Sequence, residues 1–399
     1  MRVSTSEFQQ ATTNTILDQQ AQLLKTQNQL GTGRRILTPS DDPAGATRAL
    51  DIDSAVKSTE QYQRNNEQAE LRLKQEDSIL DQVSNITNRI RELTVQAANG
   101  TQTENSRASI AAELRERREE LVDLANAKDG RGEYLFSGLK TDTQPFVSEG
   151  GGVAYQGDQG QRDIQVGPTR KVDSSHNGFE TFMDIPTGNG EFRVVPDEAN
   201  QGSARLAGES TNPQADFDGP YQIRFVDNGS GDLEVEVEDG GGNVSTSPYE
   251  PGEEITFDGR TVTFEGTPEF GDSFTVEEAD SRSIFGTVDN IIESLETRGD
   301  NNADRARLAT ESYQALEDLD AAIDAFSETR AETGARMNAL ESEYQANETA
   351  KLDLKTELSR VEDLDYAEAI SRLNQQSVGL QAAQKSYAQV QNLSLFQYI

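Results

Sequence analysis

Apolar positions along the chain change their period more than once, and those changes divide it. From about residue 4 to 36 the spacing is helical: Ile16, Leu23 and Leu30 stand seven apart, and Leu17 and Leu24 widen the stripe. Gly31 and Gly33 predict where this helix ends. A second helix is predicted from Pro43 to about residue 98, with Leu73, Leu80, Val83, Ile86, Ile90, Leu93 and Ala97 along one side. The polar run NGTQTENS at 99–106 reads as a turn. Ile110, Leu114, Arg117, Leu121 and Leu124 then follow the four-three spacing of a bundle helix, which KDGRG at 128–132 closes.

From residue 133 to about 283 the period falls to two. YQIRFV (221–226), LEVEVE (233–238), EITF (254–257) and RTVTFE (260–265) alternate apolar and polar residues, as half-buried strands do. Asp258 and Gly259 between the last two form a two-residue hairpin signal. One or two small antiparallel β-domains follow from this stretch. Helix returns with Ile284, Val288, Ile291 and Leu295, and a long helix is predicted from about Asn302 to Leu358. Its heptad carries Ala309, Leu316, Ile323, Met337 and Tyr344, with polar Arg330 in the same register. From Ala369 the repeat runs Leu373, Gln376, Leu380, Ala383, Tyr387, Val390.

Helices open the chain, strands fill the middle and helices close it. The expected class is therefore α+β: an elongated molecule whose long N- and C-terminal helices pair in a coiled-coil bundle, with an antiparallel β-domain inserted. The 399 residues are enough for two or three domains. The expected division is 1–42 with 360–399 as a terminal coiled coil, 43–180 with 284–359 as a helical bundle bearing β-hairpins, and 181–283 as an acidic, variable β-domain.

Charge sharpens that division. The chain carries a net charge of -35, which makes nucleic acid and anionic membranes poor partners. Residues 181–280 hold 23 acidic against 4 basic side chains, a net of -19. Residues 1–50 hold 5 basic against 4 acidic, and 369–399 contain Arg372 and Lys385 with no acid. The middle reads as a solvated surface, while the ends have shed the repulsion that would oppose packing like against like. No run of eighteen apolar residues is present, so no membrane insertion is expected. The start has no apolar core of a secretory signal, so export would need another route.

Candidate chemistry is sparse. Cysteine is absent, which removes disulfides, zinc-thiolate sites and thiol nucleophiles. His176 is the single histidine, and its polar loop KVDSSHNGFE predicts an exposed side chain rather than a catalytic one. DNGSGD (227–232) and DGGGN (239–243) lack the calcium-loop frame and read as turns. The glycine clusters at 148–160 do not lead from strand to helix, so they do not cradle phosphate. The adjacent carboxylates Asp41 and Asp42 cannot face a shared gap, because neighbouring residues point apart. They read instead as part of an interdomain joint made by Pro39, Asp42, Pro43 and Gly45: Pro39 ends one segment, Asp42 caps the next and Pro43 starts it. Both aspartates are expected near the positive end of the second helix. No enzyme, cofactor or metal site is expected.

The terminal stripes carry more. Gln20, Gln27 and Gln376 stand where a closed two-helix core prefers apolar residues. Charge-poor, glutamine-rich terminal helices look like segments that order on assembly. The expected assembly interface is Ile16, Leu23, Leu30, Leu373, Leu380, Tyr387, Val390, Leu395 and Phe396.

Several separated motifs now resemble one family. MRVST at the start, PSDDPAGATRAL at 39–50, GRGEYLFSGLKTDTQPF at 130–146 and NLSLFQYI at the end resemble bacterial flagellins. The closer resemblance is to the hook-associated protein 3 branch, which YQGDQGQRDIQVG (155–167) and GTPEFGDSFTVEEADSRSIFGTV (266–288) also fit. The resemblance covers essentially the whole chain. It implies an inner coiled coil lining an axial channel, a helical layer around it and an outward β-region. It implies export through the flagellar type III channel, to an extracellular place in the flagellum, with no cleaved signal. The implied partners are copies of the same chain in a ring, hook-associated protein 1, flagellin and a cytosolic export chaperone. The rival reading is a flagellin filament subunit; YLFSG followed by PF, and the ending SLFQYI, favour the junction subunit. A secreted adhesin would need an anchor or receptor patch, and none is visible.

Overall fold

The structure, a computed structural model, describes residues 2–212, 217 and 219–396. Its contacts divide the chain into two units, Met1–Arg64 with Ser342–Ile399, and Asn65–Glu341.

The first unit is helical. α1 (Arg2–Thr32) lies alongside α7 (Tyr366–Phe396). The opening turns of α2 (Pro43–Ala97) and the closing turns of α6 (Asn302–Glu362) complete the unit. α2 buries Ala49, Ile52, Val56, Thr59 and Gln63 at the three-four spacing of one helix face. Lys351 donates to the Gln63 amide oxygen at 2.6 Å, Lys355 lies 3.6 Å from Glu60, and Arg48 meets Glu357 at 2.5 Å, so α2 and α6 are laced together here.

The second unit has two large apolar cores and a small third one, in which Ala69, Leu73 and Leu340 pack with Val166 and Val172. The helical one is made by α2, α6, α3 (Glu104–Ala125) and α5 (Ile284–Thr297). Thr103 caps α3 through the Ser106 amide at 3.3 Å, and Ser283 caps α5 through the Gly286 amide at 3.0 Å. Phe136, Phe146, Phe182, Phe285 and Phe326 fill this core; Phe182 meets Phe136 edge-on with centroids 5.0 Å apart.

The other large core belongs to a β-module. Two short hairpins precede it: β1 (Phe146–Glu149) with β2 (Gly152–Tyr155), and β3 (Asp163–Gln165) with β4 (Lys171–Asp173). The chain crosses into the module at β5 (Ile185–Pro186) and out at β14 (Ser281–Arg282), and these two strands pair. One sheet places β10 (Val244–Pro248), β9 (Leu233–Glu238), β8 (Tyr221–Asp227), β13 (Ser273–Glu278) and β6 (Phe192–Pro196) side by side. A second places β11 (Glu254–Phe257), β12 (Arg260–Glu265) and β7 (Arg205–Thr211) together. Every pairing is antiparallel. Ile223 stands opposite Val237 and Phe225 opposite Val235, so the period-two pattern puts one face of each strand in the core. The β11–β12 turn carries Asp258 at φ 44° and Gly259 at φ 75°, the left-handed pair a two-residue hairpin demands.

Two expectations change. α1 stops at Thr32, four residues short of 36, because Gly33 takes φ 71° and turns the chain. His176 is buried, not exposed: its Nδ1 lies 2.7 Å from Glu76 Oε1 and its Nε2 3.2 Å from Glu332 Oε2. The loop after β4 is drawn between α2 and α6 by those two carboxylates. It leads into a short helix, α4 (Gly178–Phe182), that the sequence pattern did not predict.

Candidate functional site

The joint between α1 and α2 closes on the turn between α6 and α7. The Arg35 amide donates to the Glu362 carbonyl at 2.6 Å, and the Leu364 amide donates to the Gly33 carbonyl at 2.9 Å. The Arg35 guanidinium donates to the Val361 carbonyl at 2.8 Å. Gly33 is required twice: its φ is 71°, and a Cβ there would lie 2.8 Å from the Tyr366 hydroxyl.

Within the joint the two aspartates work separately. Asp42 caps α2, its Oδ1 accepting from the Gly45 amide at 2.9 Å, with Pro43 as the first helical residue. The Gly45 amide, and Arg35 at 3.3 Å, hold the Asp42 carboxyl below its ordinary value. Gly45 makes room for that cap: a Cβ would fall 2.4 Å from the Asp42 carboxylate and 2.8 Å from Ile36. Asp41 turns back toward α1 rather than toward the start of α2. Its Oδ2 accepts from the Leu37 and Thr38 amides at 3.0 and 2.9 Å, and Lys25 on α1 meets its Oδ1 at 2.6 Å. Lys25 first, then the Thr38 amide, bring the Asp41 carboxyl down to about 2. Pro39 sits inside a turn closed by the Asp41 amide on the Thr38 carbonyl at 2.9 Å, seven residues past the true end of α1. The arrangement fixes direction between helices and leaves no carboxylate pair facing a common gap.

Asp365 does for α7 what Asp42 does for α2: its Oδ1 accepts from the Ala367 and Glu368 amides at 2.9 and 3.0 Å. The sequence reading missed it, although Asp365 with Glu368 three residues on is the pattern of a helix start.

The terminal helices bury little between them. Ile16, Leu23, Leu30, Leu373, Leu380 and Tyr387 are all half-buried. The side chains of Val390, Leu395 and Phe396 lie outside the described residues. Beside that seam Leu17 and Leu24 are 56% and 58% exposed, and Val378 is 66% exposed. Gln20 and Gln27 face solvent, contrary to the core positions expected of them, while Gln376 is half-buried with an Oε1 that is sealed and without a partner among the described residues. Two apolar rows therefore run along α1, and α7 covers one of them. An exposed leucine row is stabilised only by an outside partner, at roughly 1.5–3 kcal/mol per side chain fully buried.

Among the described residues no helix is long and apolar enough to cross a membrane, and no cluster of carboxylate and imidazole groups is arranged to hold a metal.

Comparison with known proteins adds to this geometry. The family model described as bacterial flagellin N-terminal helical region matches residues 3–141, and that described as bacterial flagellin C-terminal helical region matches 316–399. Flagellar hook-associated protein 3 of Escherichia coli (strain K12) is 27% identical over 398 residues, covering 100% of this chain and 99% of that protein. The crystal structure of flagellar hook associated protein-3 from Legionella pneumophila aligns with a TM-score of 0.75 at 32% identity, over 78% of this chain and 98% of that one. Phase 1 flagellin of Salmonella naestved is 28% identical over 180 residues, 45% of this chain and 34% of that protein.

Proposed function

The chain belongs to the bacterial flagellin family, in its hook-associated protein 3 branch, and on that premise we propose that it is the structural subunit joining the flagellar hook to the flagellin filament. The observation that carries this is the match to hook-associated protein 3 along the whole chain, against a flagellin match over 45% of it. The relatives are flagellar structural proteins, and the joint is mechanical in character.

In this reading the bare row of α1, with Ile16, Leu23, Leu30, Leu373, Leu380, Tyr387, Val390, Leu395 and Phe396, is the surface on which identical subunits close a ring. Pro39, Asp42, Pro43 and Gly45 set the angle at which α2 leaves α1. The terminal coiled coil (1–42 with 360–399) lines the channel, the bundle (43–180 with 284–359) surrounds it and the acidic β-region (181–283) faces outward. Hook-associated protein 1 and flagellin are the neighbours, and an export chaperone holds the C-terminal helix before type III export to the cell exterior. Seeding separates this from the flagellin reading. Purified subunit added to flagellar seeds adds a terminal layer and stops, whereas growth of long filaments from those seeds contradicts the proposal.

A further inference from the structure

The β-module meets α6 across a polar seam. Tyr313 is the α6 side chain at the rim of the module's apolar core. Elsewhere the Leu206 amide donates to Thr310 Oγ1 at 3.0 Å, and the Gly188 amide donates to Asp318 Oδ1 at 2.7 Å. Arg298 bridges Glu198 at 2.7 Å and Glu311 at 2.5 Å, and Arg307 donates to the Glu198 and Asn200 carbonyls at 2.8 Å. A cavity of about 510 Å³ opens in the same seam, between β6, α5 and α6. Separate cores joined by polar contacts and a void are the mark of modules that move against each other.

Glu209 stands in this seam, mid-way along β7 and opposite Val262 of β12. Both of its carboxylate oxygens are sealed from solvent, and no hydrogen bond of sound geometry reaches them among the described residues, although the Asn189 amide lies near enough to favour the ionised form. The groups that act on it from α6 are Glu317, Asp318 and the Tyr313 phenol, and from the 187–191 turn the Asn189 amide. Glu191 of that turn accepts from Thr211 Oγ1 at the end of β7. The nearby guanidiniums are engaged elsewhere: Arg282 with Asp318 at 3.2 Å, Arg193 with Glu277 at 2.9 Å and Arg91 with Asp320 at 2.6 Å. An ionised carboxylate here would thus be buried, unpaired and set against like charge, the most costly state for such a group.

We propose that a proton on Glu209 gates the seating of the β-module on α6: protonated, the carboxyl rests in the seam, and ionised, it lifts the module about the β5–β14 ladder through which the chain enters and leaves. Burial pushes the Glu209 carboxyl up to about 8, with Glu317 and Asp318 adding to the rise and the Asn189 amide opposing it. Burial also raises Glu317 and Asp318 themselves. A raised carboxyl stabilises the seated form fully below its ordinary value near 4.5, and that help is lost as pH rises through about 8. The seat is therefore firmest below about 4.5, weakens steadily as pH rises toward about 8 and is loosest in alkaline medium.

Hydrogen exchange on the full chain at pH 6 and pH 9, corrected for the intrinsic rate, tests this. In the wild type, protection at the Leu206 and Gly188 amides falls at least about tenfold between the two, while Phe225 and Val235 inside the sheet keep theirs. Glu209→Gln, which cannot ionise, holds its protection at both pH values, and Glu317→Gln shows a smaller fall than the wild type. Equal protection of the wild type at both pH values, the same fall in Glu209→Gln, or a fall that extends to Phe225 and Val235 would each overturn the proposal.

Discussion

The Leu364 amide donates to the Gly33 carbonyl at 2.9 Å, so the end of α1 and the turn before α7 form one hydrogen-bonded piece. Residues 331 positions apart (364 less 33) thereby fix how both terminal helices leave the joint.

That bond depends on the left-handed backbone of Gly33. Gly33→Ala places a Cβ against the Tyr366 hydroxyl at a φ that alanine avoids, at a cost of about 1–3 kcal/mol. Exchange at the Arg35 and Leu364 amides should accelerate about fivefold to a hundredfold, since each 1.4 kcal/mol is a factor of about ten. Unchanged protection would mean that the joint does not rely on this contact.

Asp42 and Asp41 should separate by their chemistry. Asp42→Ala removes the cap of α2 and costs about 0.5–2 kcal/mol, while Asp42→Asn keeps most of it. Helicity and urea midpoints of the two variants measure the difference. Asp41 has a folded value of about 2 against an ordinary 3.8, so its contribution is present above 3.8 and is lost as pH falls through about 2. Acid titration of Asp41→Asn should lack that late loss. An identical acid profile would show that the Lys25 contact adds nothing.

His176→Ala removes the group between Glu76 and Glu332 and leaves the Glu76 carboxylate, which has no solvent exposure, without the imidazole Nδ1 that stands 2.7 Å from it. The second unit should lose about 3 kcal/mol in denaturant unfolding. Motility should survive wherever the folded protein persists. Loss of motility in a fully folded variant would point to a chemical role for the imidazole.

These side chains mark the limit of what the chain pattern reveals. The strands at 221–226 and 254–265 were legible because each carries its own alternation, and Asp258–Gly259 its own turn. His176 was not, because its partners lie 100 and 156 residues away and a polar local sequence says nothing about them. The four-three spacing on α3 passes through Arg117, yet Arg118 is the buried one, because it reaches Asp289 on α5 at 2.9 Å. Long arginines break a spacing rule that leucines keep. Leu17 and Leu24 were visible as a second row, but only the structure leaves them bare beside α7.

That bare row gives a further prediction. Leu17→Glu with Leu24→Glu should leave the second unit's unfolding unchanged, since neither residue belongs to it. The variant should be exported yet fail to join flagella, read by its appearance as free subunit in the medium. Normal incorporation would mean that the surface is not used in assembly.

Deleting the gene in its own bacterium and assaying flagellin outside the cell decides whether the chain joins hook to filament. Intact hooks, no filaments and flagellin shed as monomer into the medium are expected, with filaments restored by the full-length chain. Normal filaments on the deletion strain, or hooks lost together with them, would contradict that role.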